Sequence, residues 1–349
     1  MIREEDVQLL IEVLKNNDYR KKYTTHNSQL SLLFYQSVGV DNCQLSDPYY
    51  RDFLDRGILF KENDLVYASI RVVPFRGNYF LVDSPYLAST GGADHYHSEK
   101  KGMYGYIGND GFMLLNYIIS EIKNKKFQKG LDIGTGSGLI GISLLPWVNS
   151  MVGVDIDEPA VNWSKLNSKI NNADKYFSCV GNLYEPAKDS GPFDLIVSNP
   201  SFSILPPELI EKYQVQTHEV AKDYGLEQVF KIIDGFEEKL TTFGQAFICS
   251  LVPVIHGREY ILDQIKEKYS HKLYSFKIHY SFVKHTPVEF EKYYQSCGID
   301  RLDFVFISIC NGKKFSIKKT RSKFYLASRF RIIFNIALKL KHWVMKNLH

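Results

Sequence analysis

Residues 129–145 read KGLDIGTGSGLIGISLL, and this stretch decides the fold. A short apolar run that contains Asp132 leads into three glycines at alternate positions, Gly134, Gly136 and Gly138, and an apolar, helix-compatible segment follows. Glycine adopts positive φ and lets a ligand approach the backbone closely, and the N-terminus of a helix attracts polar ligand groups. The stretch therefore predicts a buried strand, a tight ligand-binding turn and a helix that begins at the ligand.

Three further apolar runs follow, and each is predicted to be a strand that ends in a polar residue. They are MVGVDIDEPAV (151–161), KYFSCVGNLYEP (175–186) and PFDLIVSNPSF (192–202). Their carboxyl ends carry Asp155, Asn182 and the tetrapeptide Asn199-Pro200-Ser201-Phe202. An acid about 20 residues after the glycine turn suits the ribose of a bound nucleotide or nucleoside.

This ordered set resembles the class I S-adenosylmethionine (SAM) dependent methyltransferases that carry an N-P-P-[YF] motif. The group includes release-factor glutamine methyltransferases, amino-directed adenine methyltransferases and small-domain rRNA guanine methyltransferases. The resemblance covers residues 100–310 and implies an α/β, Rossmann-like, seven-stranded catalytic domain with SAM as donor. A nicotinamide cofactor is disfavoured because DIGTGSG lacks the G-x-G-x-x-G spacing.

The resemblance implies a cofactor role for nine residues: Asp132, Gly134, Gly136, Gly138, Asp155, Ile156, Asn182, Leu183 and Asn199. Within this set, Asp132 would organise the glycine turn and the amino-acid end of SAM. Asp155 would hold the ribose hydroxyls, and Asn182 with Leu183 would flank the adenine.

The resemblance also implies that Asn199, Pro200, Ser201 and Phe202 form the catalytic motif. In the motif, the Asn side-chain oxygen and the first Pro carbonyl accept hydrogen bonds from an acceptor NH2 group, and the aromatic ring stacks on a planar group. Here Ser201 replaces the second proline. This change leaves both hydrogen-bond acceptors in place, but it also admits a small non-planar amine, or the amino group of SAM itself.

Four functions remain open on these residues. The favoured one is N-methylation of an amino or amide nitrogen in a small molecule or a protein. The alternatives are cyclisation of SAM to azetidine-2-carboxylate with release of methylthioadenosine, methylation of an amino group in rRNA or DNA, and SAM binding without catalysis. The presence of Asn199 and Phe202 counts against the last alternative.

Residues 1–83 are predicted to form a smaller helical, winged-helix-like module that serves as a lid or substrate domain. Val7, Leu10, Ile11 and Leu14 have helical spacing within residues 4–16. Two more helical segments, QLSLLFYQS and PYYRDFLDRG, precede the extended segments ILF, LVYASIRVVPF and YFLVDS. Residues 1–129 contain 16 basic and 16 acidic residues, which argues against a nucleic-acid-binding groove in this module.

The Gly-rich segment 84–108 is predicted to connect this module to the catalytic domain, which spans residues 109–312. By resemblance, the segment before the first helix of that domain lies over the SAM pocket. Tyr104, Tyr106 and Asn109 are therefore candidate substrate-binding residues, and His218 is another, in the loop that follows the N-P-S-F motif.

Three more strands are predicted, QAFICSLVPV, KLYSFKIHYSF and RLDFVFISIC, of which the last two form the antiparallel end of the sheet. Residues 313–349 are predicted to be a basic amphipathic helix, since residues 304–349 contain 11 Lys or Arg and no acid. Such a helix could lie on an anionic membrane surface or bind RNA phosphates. Packing on the domain, or on a second copy in a homodimer, is favoured.

The composition limits the remaining classes. Residues 130–303 contain 16 basic and 23 acidic residues, so nucleic acid is not favoured as the acceptor; a small molecule or protein is. Five scattered cysteines are typical of reduced thiols in a cytoplasmic protein, and no cysteine or histidine cluster has metal-ligand spacing. Neither a signal peptide nor an integral membrane segment is expected.

Overall fold

A computed structural model describes residues 3–19, 28–83, 107–202, 204–208, 223–284 and 291–321. Among these residues, no helix is long and apolar enough to cross a membrane. The predicted substrate-binding residues Tyr104, Tyr106 and His218 lie outside the described residues, as do the segments 84–106 and 322–349.

The amino-terminal module begins with three helical segments. They are α1 (Glu4–Asn16), α2 (Gln29–Ser31), which continues into a π-helical turn (Leu32–Gln36), and α3 (Pro48–Asp55). The four apolar residues that predicted α1 are all buried in one cluster with residues of α2 and α3. Strands β1 (Val40–Asp41), β2 (Leu59–Glu62) and β3 (Leu65–Ala68) form an antiparallel sheet in the order β1-β3-β2. The winged-helix assignment stays a prediction.

A separate hairpin follows, built from β4 (Ile70–Phe75) and β5 (Asn78–Asp83). The sequence predicted LVYASIRVVPF as one continuous extended segment, but the structure breaks it at Ser69. The Ser69 hydroxyl donates to the carbonyls of Gly57 and Ile58 at 2.9 and 2.8 Å, which redirects the chain into a second sheet. Arg76 and Gly77 both have positive φ, as a two-residue hairpin turn of the type I′ requires.

The larger part of the structure is built on a nine-stranded sheet, counted over the described residues. Its strands are β6 (Phe127–Ile133), β7 (Val148–Asp155), β8 (Tyr176–Val180), β9 (Phe193–Ser198), β10 (Leu240–Ile255), β11 (Arg258–Glu259), β12 (Tyr274–Lys284), β13 (Ile299–Asn311) and β14 (Ser316–Arg321). The order along the sheet is β14-β12-β13-β10-β9-β6-β7-β8, with β11 paired to β10.

Strands β8, β7, β6, β9 and β10 run parallel, and β13 is antiparallel to both of its neighbours, β10 and β12. This is the Rossmann-like α/β arrangement that the sequence predicted, including its antiparallel end, with β11 and β14 added to the seven predicted strands. The chain leaves β6 towards β7 on one side and later returns to place β9 on the other. Ligands of such sheets bind at the carboxyl ends of the strands, beside this switch in direction.

Helices cover both faces of the sheet. They are α4 (Asn109–Ile122), α5 (Leu139–Leu144), α6 (Glu158–Ile170), α7 (Glu227–Asp234), α8 (Phe236–Lys239), α9 (Tyr260–Tyr269) and α10 (Glu291–Ser296). Side chains of α4, α5 and α10 share one buried cluster with β9 residues Leu195 and Val197, while α7, α8 and α9 share the opposite cluster with Phe193 and Ile196. The successive residues Leu195, Ile196 and Val197 thus face opposite layers in turn, as expected for a strand buried on both sides.

The prediction of a helix over residues 313–349 is wrong for residues 316–321, which form β14. This strand pairs in parallel with β12, from Ser275 opposite Ser316 to Tyr280 opposite Arg321. Within this segment Ile317 packs against the core. Pairing with the open edge of β12 overrides the amphipathic helical pattern.

Candidate functional site

The glycine turn leaves the carboxyl end of β6 and is held to β7. The Gly134 and Thr135 amides both donate to the Val154 carbonyl, at 2.8 and 3.0 Å. Gly134, Gly136 and Gly138 have φ of 68°, 53° and 79°, which other residues rarely adopt. A Cβ built on Gly134 or Gly136 meets no atom within 4 Å, so these glycines border open space that a ligand can fill.

Asp132 lies beneath this turn and is 1% exposed. Its Oδ2 accepts hydrogen bonds from the Thr135 hydroxyl (2.7 Å) and the Gly141 amide (2.9 Å), which join the turn to α5. Burial raises the pKa of the Asp132 carboxyl to about 6. Asp132 therefore organises the glycine turn from below; a contact with the amino-acid end of SAM stays a prediction.

Asp155 occupies the carboxyl end of β7, one strand away from the turn. Its Oδ2 accepts from the Gly136 amide at 2.8 Å, and its Oδ1 accepts from the Asp157 amide at 3.1 Å. A carboxylate fixed by two backbone donors has a defined orientation, and its oxygens have further lone pairs that could accept from ribose hydroxyls. The geometry suits the predicted role.

An apolar surface borders Asp155. Ile156 is 52% exposed, and Val180, which pairs in register with Asp155, is 47% exposed. Large aliphatic side chains this exposed offer contact area for a flat apolar face such as adenine. Val180 was not predicted from the sequence, although an apolar residue at the last position of a strand was a usable signal.

Asn182 and Leu183 follow β8. Asn182 is exposed, and its amide donates to Glu185 Oε2 at 3.3 Å. Leu183 has a φ of 50°, and its side chain packs against the buried cluster on the α7–α9 face of the sheet. Ile156 and Val180 are thus more exposed than Leu183, and the adenine role of Asn182 and Leu183 stays a prediction.

Asn199 lies directly after β9, and its amide is held from both ends. Asn199 Nδ2 donates to Asp110 Oδ2 at 2.6 Å, and the Cys249 thiol donates to Asn199 Oδ1. A carboxylate only accepts hydrogen bonds and a thiol donates them, so the two partners fix which end of the amide is which. Burial, reinforced by the Asp110 charge, raises the pKa of the Cys249 thiol well above its ordinary value, so the thiol stays protonated at neutral pH.

The remaining motif residues follow Asn199 along the same edge. Ser201 is exposed, and the partly buried Phe202 ring meets Phe304 edge to face, with ring centroids 5.9 Å apart. Asn109, the first residue of α4, is exposed and adjacent in sequence to Asp110. The Ser198 hydroxyl donates to the Ile133 carbonyl at 2.8 Å, which holds the ends of β9 and β6 together.

Comparison with known proteins agrees with this geometry. Residues 103–208 match the family model described as methyltransferase small domain. Proteins of this family use SAM as the methyl donor, in agreement with the methyltransferase class and the donor predicted from the sequence.

Two curated proteins are similar to part of this chain. A release factor glutamine methyltransferase from Aliivibrio fischeri is 32% identical over 143 residues, which cover 39% of this chain and 43% of that protein. A ribosomal protein L11 methyltransferase from a Caulobacter species is 40% identical over 80 residues, or 22% of this chain and 28% of that protein. This chain therefore spans less than half the length of these two relatives.

A solved structure, ribosomal protein L11 methylase from Lactobacillus delbrueckii subsp. bulgaricus, aligns over 58% of this chain and 79% of its own. The TM-score is 0.37 and the identity 16%.

The site contains two functional candidates that the sequence did not predict. Asp110 and Cys249 orient Asn199 from positions 89 and 50 residues away in the chain. A carboxylate in the first turn of a helix, such as Asp110, is expected there because it interacts favourably with the helix dipole. A cysteine within an apolar strand, such as Cys249, is expected to be a buried core residue. Neither signal marks a functional residue until the fold places both side chains against the motif.

Proposed function

We propose that this protein transfers the methyl group of SAM to the nitrogen of an NH2 group, and that the acceptor is a side-chain carboxamide of a protein. The orientation of the Asn199 amide supports this proposal most strongly. Nδ2 is held by Asp110 and one lone pair of Oδ1 accepts from the Cys249 thiol, so the second lone pair of Oδ1 is the acceptor that the amide can offer to an N–H. A carboxylate in the place of Asn199 would accept equally well at both of its oxygens. The amide, held in one orientation, instead presents a single acceptor oxygen to the substrate.

SAM supplies a methyl group on a sulfonium centre, which a nucleophile displaces in line. The chain contributes positioning. Asn199 Oδ1 and the Pro200 carbonyl would each accept one N–H of the acceptor, which holds the NH2 plane and directs the nitrogen towards the methyl group. Orientation of two reactants in this way supplies several kcal/mol of a reaction barrier. The exposed Ser201 hydroxyl, next in the chain, is close enough in sequence to contact the same acceptor.

Two observations favour a protein acceptor. The relatives described above are named for release factors and for ribosomal protein L11. In addition, residues 130–303 have an excess of seven acidic residues, which opposes the phosphate contacts that an RNA or DNA acceptor needs.

The test is product analysis with the full chain. The protein is incubated with SAM alone, and then with SAM and either a bacterial release factor or ribosomal protein L11 as the acceptor probe. We expect S-adenosylhomocysteine, together with a gain of one methyl mass on a side-chain amide located by peptide mass spectrometry.

The control is the Asn199→Asp variant, which keeps the size of the side chain and removes the directed amide. It should lose methyl transfer. Methylthioadenosine formed from SAM alone would refute methyl transfer and support cyclisation of SAM. Methylation of rRNA, but of neither protein probe, would refute the protein acceptor.

A further inference from the structure

Helix α6 carries three polar residues along one stripe, and all three hydrogen-bond to β5 of the amino-terminal module. Trp163, Asn167 and the helix-ending Asn171 are spaced four residues apart, so they lie on the same side of the helix. Trp163 Nε1 donates to Asp83 Oδ1 at 2.9 Å. The two asparagines bind the backbone of the strand.

Each asparagine amide pairs with one residue of β5 as a neighbouring strand would. Asn167 Oδ1 accepts from the Leu81 amide and its Nδ2 donates to the Leu81 carbonyl, at 2.8 and 2.9 Å. Asn171 does the same with Tyr79, at 2.9 and 2.7 Å. Because β5 pairs with β4 on its other side, these amides cover a strand edge that would otherwise be open.

Asn167 differs from Asn171 in one contact. Its second Nδ2 hydrogen goes to the carbonyl of Ser137, at 2.8 Å, and Ser137 lies between Gly136 and Gly138 of the glycine turn. Asn167 is fully buried, so water cannot replace any of its three bonds. One side chain therefore joins β5 of the amino-terminal module to the turn.

The turn needs such support. Its glycines are at positive φ, and glycine has more conformational freedom to lose than any other residue. The amides of Gly134 and Thr135 are fixed by β7 at the start of the turn. The Ser137 carbonyl is fixed near its end, and the Asn167 amide is the group that fixes it.

We propose that Asn167 is a positioning residue for SAM binding, and that the amino-terminal module supports the cofactor site through it. The proposal rests on the cofactor site described above. It gives the module a role beyond that of a lid or substrate domain: the module stabilises the backbone conformation that SAM binds. The coupling is reciprocal, so SAM binding at the turn stabilises β5.

The test compares Asn167→Ala with Asn171→Ala, each in the full chain. Both variants lose bonds to β5, but only the first loses the bond to the turn. Calorimetric titration should show that the affinity for SAM is reduced about tenfold in Asn167→Ala, which corresponds to the loss of one buried hydrogen bond. In Asn171→Ala the affinity should fall less than about twofold. Equal SAM affinities in the two variants would overturn the proposal.

A second measurement uses the wild-type protein and does not depend on the variants being folded. Hydrogen exchange of the Leu81 amide is followed with and without saturating SAM. We expect exchange to slow at least about fivefold when SAM binds, because binding fixes the turn, and through Asn167 the strand. Unchanged exchange at Leu81, in a protein shown by titration to bind SAM, would overturn the proposal. A wild-type protein that binds no SAM would instead refute the cofactor site itself.

Discussion

Replacement of Asp132 by asparagine should flatten the pH dependence of stability. The carboxyl is buried, and its pKa in the folded protein is raised from 3.8 to about 6, chiefly by desolvation of the charged form. A nearby negative charge, that of Asp155, acts in the same direction. The hydrogen bonds from Thr135 and Gly141 favour the ionised form and oppose the shift.

The sign follows from proton binding. Between pH 4 and pH 6 the folded protein holds a proton on Asp132 that the unfolded chain has released, so the free energy of unfolding falls as pH rises through this window. The full contribution is about 3 kcal/mol, present below pH 4 and lost above pH 6. Between pH 5 and pH 7.5 the wild type should lose about 1 to 2 kcal/mol through this residue.

The assay is urea denaturation followed by tryptophan fluorescence at both pH values, with the difference taken within each protein. Asp132→Asn keeps an acceptor oxygen for Thr135 and Gly141 but cannot titrate, so its difference should be smaller than that of the wild type by that amount. Thr135→Val removes a hydrogen bond that lowers the pKa, so it should extend the pH dependence upward. Equal pH dependence in wild type and Asp132→Asn would refute the reasoning.

Three further predictions concern the site. Asp155→Ala should weaken SAM binding about tenfold or more, measured by calorimetry, since the ribose hydroxyls lose a charged partner; unchanged affinity would contradict the ribose role. Gly153→Ala should lower the free energy of unfolding by about 1 to 3 kcal/mol, because the new Cβ would lie 2.2 Å from the Tyr176 hydroxyl oxygen, and Tyr176→Phe should recover part of this loss. Asp110→Ala should lower kcat about tenfold with little change in SAM affinity, whereas Asp110→Asn, which retains an acceptor for Asn199, should keep most of kcat; equal loss in both variants would show that the charge of Asp110 matters and not the orientation of the amide.

The parts of the fold that could be predicted are those with local signals. The apolar runs before Gly134, Asp155 and Asn199 are buried strands of the central sheet, and each ends at one of these residues or directly before it. Carboxyl ends of parallel strands meet at one edge, so correct strand assignment already brings these residues together.

Two other elements depend on contacts with residues that are distant in the sequence. The segment around Ser69 was predicted to continue as one strand, yet the hydroxyl binds two carbonyls more than ten residues earlier and the chain changes sheet. Residues 316–321 were assigned to a helix, yet they complete the edge of β12. In both cases the local pattern fits two structures, and the choice depends on which edge or carbonyl the fold brings near.

The orientation of the Asn199 side chain is also determined by residues distant in the sequence, and this orientation matters for the proposed function. An asparagine side chain has a donor end and an acceptor end of nearly equal size, so the N-P-S-F motif alone does not say which end meets the acceptor. Asp110 and Cys249 decide this, because one can only accept and the other, held protonated by burial, donates. A chain could keep all four motif residues and still lose the directed oxygen if either partner changed. The chemistry of this site therefore depends on five elements that converge on one edge, β6, β7, β9, β10 and α4, and not on the motif by itself.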